Sequence, residues 1–105
     1  MTRPHTREMQ TSPDKRRALA VILKAHPGTS CAAQCERIRQ ALAQFPLTTF
    51  EAMRYLDCYD PRARVMSLRD EGHAIVTHWR TVTSEAGTKH RVGLYALADA
   101  GEVSP

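Results

Sequence analysis

The chain has 105 residues, one domain's worth, and its 42% hydrophobic and 25% charged residues are an ordinary globular balance. No apolar run approaches a membrane span, and the polar opening "MTRPHTREMQTSPDKRR" lacks the apolar core of a secretory signal, so a cytoplasmic protein is the default expectation. A formal charge of +4 favours anionic partners mildly, and three cysteines, an odd count without a secretion signal, speak against a disulfide framework.

Residues 1–12 read as a disordered polar tail, and "ADAGEVSP" at 98–105 as a frayed end, leaving one domain over 13–97. Ser12-Pro13-Asp14 is a helix start: a capping hydroxyl, a proline at the first helical position, and an acid at the positive helix end. Leu19, Ile22, Leu23 and His26 follow at helical spacing until Pro27-Gly28 stops the helix, over about 13–26. A second helix begins after Thr29-Ser30. Its apolar stripe is Cys31, Cys35, Ile38, Leu42 and Phe45, with Glu36, Arg37, Arg39 and Gln40 mostly off it, and Pro46 ends it.

Thr48-Thr49-Phe50-Glu51 is a capping box, in which Thr48 takes a backbone amide and Glu51 reaches back. That helix runs to about Leu56, and Asp57-Cys58-Tyr59 is the turn. Asp60 caps the next helix, Pro61 occupies its first position, and Gly72 supplies a left-handed stop after Glu71. The period then changes. "AIVTHWRTV" and "HRVGLYAL" are rich in β-branched and aromatic residues, and "TSEAGT" between them holds the glycine a hairpin loop requires. The fold class is therefore α+β: a three-helix core with a C-terminal β-hairpin, plus an extra N-terminal helix.

Two capped helices joined by a tight turn have helix-turn-helix geometry, and a hairpin directly after them stands where a wing would. A major groove admits one helix, so the helix over 60–71 is the candidate reader. At 100° per residue, Pro61, Val65 and Leu68 share one face and should be core. Arg62, Ala63, Met66 and Ser67 lie opposite and are the candidate groove contacts, with Asp70 at the edge. Ala63 and Met66 suit thymine methyls, Ser67 donates or accepts, and Arg62 reaches guanine or phosphate. Arg64 and Arg69 flank the core face; DNA contact and bracing against Asp57, Asp60 or Glu71 are both open for them. The hairpin carries His78, Arg80, Lys89, His90 and Arg91, with His73 just before it and only Glu85 opposing at the tip, which makes it the best phosphate-contact candidate. The bland alternative for this face is solubility.

Trp79, mid-strand, has two readings: stacking on a base or inserting in a groove, and anchoring the hairpin to the helical body. The anchor is the leading expectation, and Tyr95 and Leu97 are expected to be core on the return strand. Cys31 and Cys35 are four apart on an apolar stripe without a second ligand pair, so both are read as buried free thiols rather than metal ligands. Cys58 falls in the inter-helix turn. The chain has no glycine-rich phosphate loop, no HExxH and no Gly-x-Ser-x-Gly. Neither an enzyme nor a cofactor is called for.

The stretch "LTTFEAMRYLDCYDPRARVMSLRDEGHAIVTHW" followed by "HRVGLYAL" resembles a family of small helix-turn-helix proteins carried by proteobacterial prophages and other integrated elements. The matching residues are Leu47, Thr48, Thr49, Glu51 and Ala52; Pro61, Ala63, Arg64, Leu68, Arg69, Gly72, His73, Ile75 and Thr77; and Tyr95 and Leu97. The likeness covers roughly 32–97. It implies a winged helix-turn-helix fold and binding to double-stranded DNA in the bacterial cytosol or nucleoid, and it carries no target sequence. Two departures stand out. The helix at 13–26 is additional, and a homodimer through it is one expectation. Gly93 stands where an alanine is expected. The leading expectation is a DNA-binding regulator or recombination accessory of a phage or mobile element. The alternative is a protein-binding winged-helix module, such as a phage-encoded inhibitor of a host protein.

Overall fold

A computed structural model describes residues 11–98. The element order is α1 (Pro13–Ala25), α2 (Cys31–Leu42), β1 (Leu47–Thr48), α3 (Thr49–Tyr55), α4 (Pro61–Asp70), β2 (Ile75–Thr83) and β3 (Lys89–Leu97). The three strands form one antiparallel sheet in the order β1-β3-β2.

The helix starts are local chemistry. Ser12, Ser30, Thr48 and Asp60 each accept a backbone amide from the residue three positions on, so each helix opens with one orphan donor satisfied. At Thr48 the capping box is complete: Glu51 N–H donates to Thr48 Oγ1 at 3.1 Å and Thr48 N–H to Glu51 Oε1 at 2.9 Å. The end of α4 is a Schellman motif. His73 N–H donates to Leu68 O and Gly72 N–H to Arg69 O, with Gly72 at φ 104°.

The apolar faces of all four helices meet in one core. Leu19 and Ile22 come from α1, Ile38, Ala41 and Leu42 from α2, Ala52 from α3, and Val65 and Leu68 from α4. Leu47, Ile75 and Tyr95 close it from the sheet. A fully buried leucine or isoleucine adds roughly 1.5–3 kcal/mol relative to exposure. The additional helix α1 is thus part of the core and not an appendage. It is also tied down by polar contacts. Lys15 Nζ donates to Glu51 Oε1 at 2.8 Å and to Pro46 O at 2.6 Å, and Thr11 Oγ1 donates to Glu51 Oε2 at 2.8 Å. Of the tail expected over 1–12, only Thr11 and Ser12 lie within the described residues, and both hold α1: Thr11 through Glu51, Ser12 as the cap. Of the end expected over 98–105, only Ala98 is described, and its N–H donates to Ala74 O.

Several features depart from the sequence expectations. The short strand β1 was not anticipated. Thr48 is extended because it is a helix N-cap (φ −81°, ψ 160°), and that same conformation lets Leu47 and Thr48 pair with Tyr95 and Leu94. Arg37 does not lie off the core face but is wholly buried. Leu97 is not core: it ends β3 beyond the helices and is exposed. Cys31, at the first position of α2, is exposed, whereas Cys35 one turn on is buried.

The turn between α3 and α4 depends on Arg37. Its Nε donates to Leu56 O at 2.8 Å, one Nη to His26 O and Gly28 O at 2.7 and 2.9 Å, and the other to Asp57 O at 3.4 Å. The planar guanidinium therefore clamps the α1–α2 loop to the helix-turn-helix turn through four backbone carbonyls. Asp57 takes φ 51° there, a left-handed conformation that Asp tolerates better than most residues.

Candidate nucleic-acid interface

Helix α4 buries Pro61, Val65 and Leu68, as its periodicity requires. The opposite face presents Arg62 and Met66 to solvent, Met66 at 61% exposure, with Ala63 and Ser67 half-buried beside them. Ser67 Oγ donates to Ala63 O at 3.1 Å, which leaves its lone pairs facing outward as acceptors. Asp70, also exposed, is the one carboxylate at that face's edge.

Arg64, half-buried, and Arg69, exposed, are both engaged by groups of the protein itself, and neither pairs with Asp57, Asp60 or Glu71. Arg69 Nε donates to Ile75 O at 2.9 Å and its Nη2 to Thr77 Oγ1 at 2.9 Å, which joins the end of α4 to the base of the hairpin. Arg64 lies against α2, with its Nη1 on the Cys31 sulfur and a buried Nε that has no partner.

The hairpin's cations divide between two faces. Directly opposed residues share a face in an antiparallel pair, so the register puts Thr77, Trp79, Thr81, Lys89, Arg91, Gly93 and Tyr95 on one side. It puts His78, Arg80, His90 and Val92 on the other. All five basic candidates, His78, Arg80, Lys89, His90 and Arg91, are exposed. The Trp79 face is the side that turns toward α4, because Arg69 reaches Thr77 on it.

Trp79 does not anchor the hairpin to the helices. It is 58% exposed, and the Arg91 guanidinium lies 4.8 Å from its ring centroid. The direct partner of Trp79, Gly93, is buried on the same face, where its carbonyl accepts from Thr49 Oγ1 of α3 at 3.3 Å, so at this level the helical body covers β3 while Trp79 stands on the edge strand β2 outside it. A periodicity argument marks this face as inward but cannot say where the body ends. The exposed apolar residues Phe50 and Met53 on α3 were likewise not singled out by the sequence.

Away from this surface the titratable groups have structural explanations. Hydrogen bonds from Arg39 and Gln40 hold the Glu36 carboxyl down at about 2. For Glu51 burial pushes the carboxyl up, but the bonds from Lys15, the Thr48 amide and Thr11 outweigh it and keep it below its ordinary value. Burial raises the Cys35 and Cys58 thiols, so both stay protonated near neutrality. Among the described residues no three His, Cys, Asp or Glu side chains cluster to hold a metal ion, and no helix is long and apolar enough to cross a membrane.

No curated relative and no solved structure matches the chain. The family model for a winged helix-turn-helix domain matches residues 33–100, covering α2 from its third residue, α3, α4 and the whole sheet and leaving out α1. With more than half of its length matched, and with the helix pair and the hairpin in their expected places, the chain belongs to the winged helix-turn-helix domain family.

Proposed function

We propose that the protein binds double-stranded DNA in a sequence-specific manner and serves as a regulator or recombination accessory of a phage or mobile element. The observation that carries the DNA reading is the placement of two surfaces side by side. The outward face of α4 bears Arg62, Ala63, Met66 and Ser67. The adjoining β2 and β3 carry five exposed basic residues and no carboxylate. In this reading α4 enters the major groove and the wing follows the flanking phosphates. Arg62 is the cation free to reach bases or phosphate, and Arg64 and Arg69 set the pose of α4 from behind. The phage or mobile-element role is supported by the likeness of the 47–97 stretch to proteins of that kind. The same likeness favours the bacterial cytosol or nucleoid.

The test is binding of the purified chain to labelled duplex across a salt series. A steep fall of affinity with salt is expected, because each neutralised phosphate releases counterions. Absence of binding at low salt would refute the reading. In that event Phe50 and Met53, exposed together on the short helix α3, favour a protein partner such as a host enzyme. A homodimer through α1 belongs to the same proposal, with Val21, exposed on that helix, as the contact. Light scattering of the wild type and Val21→Glu tests it: a wild-type dimer that the substitution splits is expected, and a monomeric wild type refutes it.

A further inference from the structure

We infer that Trp79 and Arg91 form a stacking site for an unpaired base, so that the preferred target is duplex DNA with a disrupted or extrahelical base beside the segment that α4 reads. The inference rests on the DNA reading above and adds the substrate class.

Four observations converge on it. Trp79 is 58% exposed in mid-strand, where a large aromatic normally buries itself. Arg91 lies 4.8 Å from its ring centroid, on the neighbouring strand and the same sheet face, so a cation already occupies one side of the indole. The residue directly opposite Trp79 is Gly93, which raises no side chain against the ring. Arg69 of α4 bonds Thr77, two residues before Trp79 on the same face, which places that face of the hairpin next to α4.

A flat ring backed by a guanidinium, on strands without a carboxylate, suits a flat π-system carried on a polyanion. Bases inside an intact duplex are covered by their neighbours and offer only edges to such a ring. An unpaired base offers its face. Stacking of this kind is sequence-tolerant, so it would add a structural preference to whatever sequence α4 reads. Extruding a base is cheapest where pairing is already broken.

Trp79 is the chain's single tryptophan, which makes its fluorescence a reporter of this site alone. The full chain is titrated, at one salt concentration, with two duplexes of equal length and sequence, one fully paired and one with a single extrahelical base. Expected are stronger quenching and at least roughly five-fold tighter binding for the duplex with the unpaired base, the lower end of what one base stacked on an aromatic side chain supplies. Trp79→Ala, followed by anisotropy of labelled DNA, should bring the ratio of the two affinities to one, and Trp79→Phe should keep most of it. Equal binding and equal quenching by both duplexes overturn this inference and leave the DNA reading intact. A preference that survives Trp79→Ala overturns it too. No binding to either duplex at low salt overturns the DNA reading and this inference together.

Discussion

Arg37 Nε donates to the carbonyl of Leu56 at 2.8 Å from a position with no solvent exposure. That bond ties the second helix to the last turn of α3, and through it to the point where the chain turns toward α4. Helix α4 is thus aimed by a side chain that lies on neither of the two helices forming the motif.

Replacing Arg37 should therefore damage stability more than any surface cation would. Arg37→Ala strands the carbonyls of His26, Gly28, Leu56 and Asp57, and a loss of about 3–5 kcal/mol is expected, the range for breaking a buried charged contact. Arg37→Lys should rescue little, because an ammonium cannot reproduce the planar spread of donors. Urea denaturation monitored by circular dichroism measures both. A change under about 1 kcal/mol for Arg37→Ala would contradict the clamp.

Acid should unfold the protein in part through Glu51 and Glu36. Both folded-state carboxyls titrate below their ordinary value of 4.5, Glu36 at about 2. A depressed pKa means the unfolded chain takes up protons first, so the stabilisation is complete above about pH 5 and is lost as pH falls from there toward 2. Glu51→Gln should lower stability at pH 7 and flatten the pH dependence below 5. Denaturation midpoints of both proteins between pH 3 and 7 decide it, and parallel curves would rule Glu51 out.

Arg69 and Arg80 should separate a positioning role from a phosphate contact. Arg80→Ala removes an exposed wing cation, and the slope of log affinity against log salt should drop by roughly one. Arg69→Ala breaks the bonds to Ile75 O and Thr77 Oγ1. It should weaken DNA binding with the slope unchanged and cost about 1–2 kcal/mol of stability. Arg62→Ala combined with Arg80→Ala should weaken binding further, and unchanged affinity in that pair would refute the assignment of the contacts.

Thiol labelling should find one fast-reacting cysteine. Cys31 is exposed, whereas Cys35 and Cys58 are buried with thiols raised by that burial. Ellman's reagent should titrate one thiol in the native protein and three in denaturant. Two fast native thiols would disagree with the packing of α2.

Gly93→Ala should be tolerated. A Cβ there would meet Thr49 Oγ1 at 3.4 Å and Thr77 Cγ2 at 3.5 Å, ordinary contact distances. Removing a mid-strand glycine should raise stability by about 0.5–1 kcal/mol, read as a shift of the thermal midpoint. A lower midpoint would mean that the Thr49 Oγ1 bond to Gly93 O, 3.3 Å long, cannot accommodate the methyl group.

Everything set by neighbours in the chain was legible in the residues. The caps at Ser12, Thr48 and Asp60, the Gly72 stop, the inward stripe of α4 and the hairpin with its glycine loop all depend on groups three to six positions apart. Contacts made by chemistry that a hydropathy pattern scores as polar, or by geometry that depends on where another element ends, were decided only by the tertiary structure. Arg37 scores as surface because the pattern cannot see four carbonyls waiting in two distant loops. Trp79 scores as core because alternation reports which side of a sheet a residue faces. Which strand the helical body covers on that side is set by the packing of the helices on the sheet, and at the level of Trp79 it covers Gly93 of β3 and leaves the edge strand β2 exposed.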